Sequence, residues 1–129
     1  MSERFPALDA RAARRNFERN GLAAKIRLLQ ADALDVLADL ARGEPFDIVF
    51  IDGSKERYRE FMEQTVPLLA PRGILIVDDV FFHGDAINAA PTTEKGRGAK
   101  AALDLAAGME TWLRVVVPIA NGILLMVRK

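Results

Sequence analysis

Cysteine is absent from the 129 residues of this sequence. Its absence excludes a disulfide framework and a thiolate metal site, and it agrees with a reducing compartment. Long apolar runs are also absent: none approaches the roughly 20 residues needed to span a bilayer, and the first residues, MSERFPALDARAARRN, lack the apolar core of a signal peptide. We therefore predict a soluble, cytoplasmic protein with no membrane partner.

An excess of one charge sign is absent too, because 18 basic residues balance 18 acidic ones. A nucleic-acid surface needs a basic stripe, and the candidate is a helix that carries Arg11, Arg14, Arg15 and Arg19. No aromatic or glycine-rich pattern accompanies these arginines, which favours a solvated helix face. We predict no nucleic-acid partner.

Apolar residues, in contrast, make up 50% of the chain. A chain of this length and composition can bury a real hydrophobic core. We expect residues 1–129 to form a single domain.

Helix and strand patterns alternate along the chain. The periodicity predicts helices from an Asp9 cap to Asn20 and at 33–42, 54–69 and 99–107, and strands at 25–30, 46–51 and 73–79. Residues 80–98 are predicted to form a surface loop. The Asn121-Gly122 pair predicts a hairpin between final strands at 112–118 and 123–129. This order indicates an α/β fold whose sheet is mostly parallel and ends in an antiparallel hairpin.

Three acidic residues end two strands that are apolar on both faces. Asp52 ends the strand at 46–51, and Asp78 with Asp79 ends the strand at 73–79. In such sheets ligands bind outside the carboxyl ends of the strands, where neighbouring strands lie about 4.8 Å apart. Three carboxylates that converge there suit a hard divalent ion such as Mg²⁺ or Ca²⁺ rather than zinc. Lys55, three residues after Asp52, is the alternative cation.

Each of these residues also has a purely structural explanation. Asp52 could cap the next helix, and Lys55 could be an exposed first-turn residue. Asp78 and Asp79 could solvate a strand end. The combination of two consecutive apolar strands that both end in acid, with a lysine beyond one of them, favours a functional site.

The segments FIDGSKERY, GILIVDDVFFHG and VPIANGILLMVRK occur in this order. Together they resemble the metal-dependent O-methyltransferases of the catechol and caffeoyl-coenzyme A type, which use S-adenosylmethionine. The resemblance covers about Ala10 to the C-terminus. It implies a truncated Rossmann-like class I methyltransferase sheet, with residues 1–129 matching the C-terminal two-thirds of that fold.

The resemblance also implies a role for each site residue. Asp52, Asp78 and Asp79 would hold a divalent cation, expected to be Mg²⁺, which binds two neighbouring oxygens of a small hydroxylated, catechol-like acceptor. Lys55 would be the general base that takes the proton from the acceptor hydroxyl, and the pKa of an amine among cations can fall toward neutrality. The S-adenosylmethionine pocket would be lined by Asp32, Ala33, Asp52, Gly53 and Ser54.

The sequence departs from the family pattern at its front. Relatives begin the sheet with a strand and a glycine-rich turn of G-x-G type that approaches the cofactor, and this chain has no glycine before Gly21. Asp79 stands where the family has asparagine, and Asn121 stands where it usually has an acid. Tyr58 matches a family position, with packing as its simpler explanation.

The missing front strands would leave the strand at 46–51 as an apolar sheet edge. An exposed edge of that kind invites pairing with another chain. We therefore expect a homodimer or larger assembly in which a partner segment covers this edge.

Three functions stay open from the sequence. The first is an O-methyltransferase enzyme. The second is a non-catalytic remnant of that fold that serves as a binding or oligomerisation module, which the absent glycine loop favours. The third is a metal-binding α/β domain of another kind, such as a phosphoryl-transfer receiver, in which the lysine would follow a later strand.

Overall fold

The structure, a computed structural model, describes the backbone of residues 7–129 and the side chains of residues 10–129. This part of the chain contains four α-helices, three short 3-10 helices and four strands. The α-helices are α1 (Ala7–Arg19), α2 (Ala33–Leu40), α3 (Tyr58–Thr65) and α4 (Glu94–Gly108). The strands are β1 (Phe46–Ile51), β2 (Leu69–Val77), β3 (Trp112–Val117) and β4 (Ile123–Arg128). None of these helices has the length and hydropathy needed to cross a membrane.

The chain groups into two compact units, a smaller one that ends at Val36 and a larger one from Leu37 to Lys129. The smaller unit contains α1 and the start of α2, and the larger unit contains the whole sheet. The single domain over residues 1–129 stays a prediction.

The strands form one mixed sheet in the order β1-β2-β4-β3. β1 and β2 are parallel, as a connection through α3 allows, and β4 runs antiparallel to both of its neighbours. Three strands therefore point the same way and one points against them. The predicted α/β sheet with a C-terminal antiparallel hairpin is confirmed.

One face of the sheet carries the hydrophobic core of the larger unit. The register places Leu75 opposite Met126 and Val77 opposite Leu124, and all four side chains are buried. The helices α3 and α4 contact each other. Their buried residues are Tyr58, Phe61, Met62 and Thr65 on α3, and Gly96, Ala99, Ala102 and Ala106 on α4.

The other face of the sheet is apolar and exposed at its outer strands. Two rows of apolar residues cross all four strands, Ile48-Ile74-Val127-Leu113 and Phe50-Ile76-Leu125-Val115. Ile48 and Phe50 on β1 are 58% and 56% exposed. Within the part of the chain that the structure describes, β1 has a neighbour in the sheet on one side only, which makes it an apolar edge strand.

The strand predicted at 25–30 is wrong, since these residues form neither strand nor helix. A strand is stable only when a neighbour completes its hydrogen bonds. The described sheet ends at β1, and none of its four strands pairs with this segment. Ile26 and Leu29, two of the apolar residues behind the prediction, are exposed.

Three helices also differ in their bounds from the prediction. The helix predicted at 54–69 is α-helical only at Tyr58–Thr65, with short 3-10 helices at Lys55–Arg57 and Val66–Leu68, and β2 begins at Leu69. The helix α1 begins at Ala7, so Asp9 lies inside it rather than at its cap, and the side chain of Asp9 lies outside the described part. The helix α4 begins at Glu94, because the Thr93 hydroxyl accepts a hydrogen bond from Gly96 N at 2.9 Å. The predicted loop therefore ends at Thr93.

Candidate active site

The carboxyl ends of β1 and β2 bring together the side chains of Asp52, Asp78 and Asp79. Each offers one carboxylate oxygen, and these oxygens lie within 4.8 Å of one another. The backbone fixes the two ends side by side, since Asp78 N donates a hydrogen bond to Ile51 O at 3.0 Å. The structure thus places the three predicted residues together at the edge of the sheet formed by the carboxyl ends of β1 and β2, as parallel strands require. We call this edge, with Asp52, Asp78 and Asp79, the rim.

Lys55 lies at the same rim and pairs with two of the three carboxylates. Its Nζ is 3.0 Å from Asp79 Oδ2 and 3.7 Å from Asp52 Oδ1. The Lys55 side chain is 14% exposed, against 52% for the side chain of Asp52, so the lysine is the more buried member of this pair. Within residues 10–129, the Asp78 carboxylate makes no ion pair.

The ion pair between Lys55 and Asp79 stabilises the charged form of both groups. Burial alone would lower the pKa of Lys55, but Asp79 and then Tyr58 raise it above its ordinary value. Burial would raise the pKa of Asp79, but Lys55 and the side chain of Asn121 lower it. Lys55 is therefore a stabilised ammonium in this arrangement, which is opposite to the fall in pKa that the sequence analysis allowed for a base.

The loop after β2 holds Asp79 in a sparsely populated backbone conformation. Asp79 has a φ of 53°, in the left-handed region that asparagine and aspartate tolerate better than most residues. The loop is tied to the β3–β4 turn, because Val80 N donates to Gly122 O at 3.1 Å and Phe81 N donates to Asn121 O at 2.7 Å. The hairpin thus orients a carboxylate of the candidate site.

The helix α4 fixes the backbone of Lys55 from the other side. A Cβ on Gly98 would lie 2.2 Å from the Lys55 carbonyl oxygen and 2.4 Å from Glu56 Cα. A Cβ on Gly96 would lie 1.8 Å from Asp85 Oδ2, whose carboxylate accepts hydrogen bonds from the backbone N–H groups of Thr92 and Thr93. Glycine at both positions lets α4 approach this closely.

The predicted cofactor residues lie in two turns, each of which precedes a helix. Asp32 caps α2, since its Oδ1 accepts a hydrogen bond from Leu34 N at 3.0 Å, and Ala33 is the exposed first residue of that helix. In the larger unit, Gly53 is exposed and Ser54 precedes the turn that begins at Lys55. The cofactor assignments of these four residues and of Asp52 stay predictions.

Two further residues contact Lys55: Tyr58, which the sequence analysis noted as a family position with packing as its simpler explanation, and Gly98, which sequence reasoning missed. Tyr58 is fully buried, and the Lys55 Nζ lies 5.4 Å from the centre of its ring. Gly98 contacts the Lys55 backbone across 43 positions of sequence. The available signals were the one-turn spacing from Lys55 to Tyr58 and the placement of two glycines, a residue type unfavourable in helices, at the start of α4.

The match to a family model decides what kind of protein this is. Residues 7–129 match the family described as O-methyltransferase. The chain belongs to this O-methyltransferase family. The match covers nearly all of the chain, including both strand ends, Lys55 and the hairpin.

Individual members of the family are similar to this chain. It is 29% identical over 93 residues to a catechol O-methyltransferase of Niastella koreensis, covering 70% of this chain and 42% of that protein. It is 37% identical over 75 residues to a catechol O-methyltransferase of Mycobacterium tuberculosis, covering 58% and 34%. An O-methyltransferase from Bacillus cereus, solved in complex with SAH, superposes with a TM-score of 0.86 at 25% identity, covering 95% of this chain and 59% of that one.

The chain is thus shorter than the family members that it matches. It spans less than half of each of the two catechol O-methyltransferases and just over half of the Bacillus cereus chain. Membership of the family and the Rossmann-like methyltransferase fold of the matched part are shown by these comparisons, whereas the activity of the whole protein is a matter for proposal.

Proposed function

We propose that this protein is an S-adenosylmethionine-dependent, divalent-metal-assisted O-methyltransferase that acts on a small hydroxylated, catechol-like acceptor in the cytoplasm. The observation that carries the proposal is the convergence of three carboxylates and Lys55 at the ends of β1 and β2. Family membership gives the reaction class. The names of the similar catechol O-methyltransferases support the acceptor class.

The rim fits a hard divalent cation by the chemistry of its donors. Asp52, Asp78 and Asp79 supply carboxylate oxygens, which Mg²⁺ prefers, and the described residues at the rim offer no thiolate. A divalent cation held there would lower the pKa of a bound acceptor hydroxyl. Asp78, which makes no ion pair within residues 10–129, is the carboxylate most ready to bind it.

Lys55 is the proposed general base. Its amine would take the proton from the acceptor hydroxyl, whose oxygen would bond to the methyl carbon as the bond from that carbon to sulfur breaks. S-adenosylmethionine supplies the methyl group as a sulfonium. Lys55 can accept a proton only as a neutral amine, so its ion pair with Asp79 must weaken before the transfer.

The proposed cofactor residues are Asp32, Ala33, Asp52, Gly53 and Ser54. Asp52 and Gly53 are exposed at the end of β1, so a ligand can reach them. This assignment rests on the resemblance of the sequence to the family.

Calorimetric titration with S-adenosylhomocysteine, with and without Mg²⁺, tests the proposal. We expect micromolar binding of S-adenosylhomocysteine, and we expect Asp78→Asn to weaken Mg²⁺ binding by at least about tenfold, because it removes one ligand charge. Asp104→Asn, on the exposed side of α4, is the matched control and should change neither affinity. A folded protein that binds no S-adenosylhomocysteine up to millimolar concentration would instead favour a non-catalytic binding or oligomerisation module.

We also propose that the protein forms a homodimer or larger assembly through β1. The strand exposes Phe46, Ile48 and Phe50, and one of its sides pairs with no other strand among the described residues. Light scattering should give more than a monomer at micromolar concentration, and Ile48→Lys should dissociate it because a lysine on an edge strand opposes pairing. Val115→Lys places the same charge at a similarly exposed position on β3, the opposite edge, and should not. A monomeric wild-type protein would contradict this proposal.

A further inference from the structure

Tyr58 combines complete burial with a hydroxyl that no described group satisfies. The residue is 0% exposed, and its hydroxyl has no hydrogen-bond partner among residues 10–129. A buried unsatisfied hydroxyl lowers stability, and phenylalanine would fill the same space without that cost. An unsatisfied group of this kind calls for an explanation.

The Lys55 ammonium is a charged group beside Tyr58. Its Nζ lies 5.4 Å from the centre of the Tyr58 ring, one helical turn along the chain. Tyr58 contributes to the raised pKa of Lys55, so the two groups are already close enough to interact, but the Tyr58 hydroxyl has no partner in full hydrogen-bond geometry within residues 10–129. The Lys55 ammonium instead points to Asp79 Oδ2 at 3.0 Å.

A cation at the rim would compete with Lys55 for Asp79. The carboxylate oxygens of Asp52, Asp78 and Asp79 lie within 4.8 Å of one another, and Lys55 already pairs with two of these residues. An ammonium and a divalent cation repel each other at such distances. Lys55 therefore has to give up Asp79 when the cation binds, and it needs another polar partner within reach of its largely buried side chain.

We propose that Tyr58 is a positioning residue for Lys55. When a divalent cation binds Asp79, the Tyr58 hydroxyl accepts a hydrogen bond from the Lys55 side chain. The inference rests on the proposed function, since the cation is the one assigned to Asp52, Asp78 and Asp79. The Tyr58 ring packs against the ammonium while Lys55 pairs with Asp79, and the hydroxyl accepts a hydrogen bond from the ammonium after the cation binds. The amine then stays at the rim, close to the position of the acceptor hydroxyl.

The test measures Mg²⁺ binding and the environment of Lys55 in the full chain. Tyr58→Phe removes the hydroxyl and keeps the ring, and Tyr58→Leu removes both. Thr65→Val is the matched control, because it removes a buried hydroxyl from the same helix, one that donates to Phe61 O at 2.7 Å. Lysine side chains labelled with ¹³C report on Lys55, whose resonance is assigned by its loss in Lys55→Met.

Three results are expected, with Mg²⁺ as the added ligand in the first two. Mg²⁺ shifts the Lys55 ε-carbon resonance in the wild-type protein. Tyr58→Phe raises the Kd for Mg²⁺ about tenfold, as the loss of a hydrogen bond from a charged donor predicts, and Thr65→Val leaves that Kd unchanged. Without Mg²⁺, Tyr58→Phe is at least as stable to heat as the wild type, whereas Thr65→Val is less stable.

Tyr58→Leu gives a check that does not depend on the cation. It should abolish the ring-current shift of Lys55 that the wild type and Tyr58→Phe share. The inference is overturned if Tyr58→Phe binds Mg²⁺ as the wild type does, or if Mg²⁺ leaves the Lys55 resonance in place. Binding of S-adenosylhomocysteine, measured on the same samples, separates this outcome from a failure of the proposed function.

Discussion

Replacing Lys55 by methionine should lower the rate of methyl transfer by about 10²- to 10⁴-fold, the usual contribution of a general base. Methionine keeps a long unbranched side chain in the largely buried position of Lys55 and removes only the amine that pairs with Asp79 and Asp52. Single-turnover methyl transfer to a catechol, followed at saturating S-adenosylmethionine and Mg²⁺, measures the effect. The KM for the acceptor should change little, because the proton transfer belongs to the transition state.

The affinity for Mg²⁺ distinguishes the loss of the general base in Lys55→Met from damage to the metal site. The affinity for Mg²⁺ should stay equal or increase in Lys55→Met, because the substitution removes a positive charge 3.0 Å from a proposed ligand. Lys100→Met, on α4 beside Asp104, is the matched control and should retain full turnover. Turnover at the wild-type level in Lys55→Met would remove Lys55 from the mechanism.

Replacing Gly98 by alanine should lower the free energy of unfolding by about 3 kcal/mol, at the upper end of the usual cost of overpacking. The added Cβ would fall 2.2 Å from the Lys55 carbonyl oxygen and 2.8 Å from Glu56 N. These neighbours are backbone atoms, so α4 or the turn that carries Lys55 has to move. Chemical denaturation measures the loss, and turnover should fall as well, because Lys55 is displaced from the carboxylates.

Gly108→Ala is the matched control for this experiment. Gly108 ends the same helix, and an added Cβ there meets no atom within 4 Å. Because alanine favours helix over glycine, Gly108→Ala should leave the stability unchanged or raise it by up to about 1 kcal/mol. Equal stability of Gly98→Ala and Gly108→Ala would show that α4 does not pack on Lys55 as described.

The strand ends show how far local sequence can predict a site. FDIVFID and GILIVDD each combine an apolar strand with acid at its carboxyl end, and the direction of the chain places both ends at one rim. The spacing from Asp52 to Lys55 brings the amine back toward the strand end. Local pattern was sufficient here because each residue is fixed by the strand that precedes it.

The segment at 25–30 shows where local pattern fails. Its residues have the alternation of a strand, but strand formation depends on a hydrogen-bonding neighbour that the segment itself does not specify. The prediction of where α4 begins was wrong for a related reason. The side chain of Asp85, seven and eight residues earlier, organises Thr92 and Thr93 ahead of the helix.

The sequence by itself determined the family, the order of β1, β2 and the hairpin, and the position of Asp52, Lys55, Asp78 and Asp79 at the ends of strands. These properties depend on residues close together in the chain. Only the tertiary structure decided that Lys55 is an ammonium paired with Asp79, that Tyr58 lies buried beside it, and that Gly98 fixes its backbone. The physical reason is that charge, burial and close packing depend on atoms brought together by folding, and residues distant in sequence supply most of them.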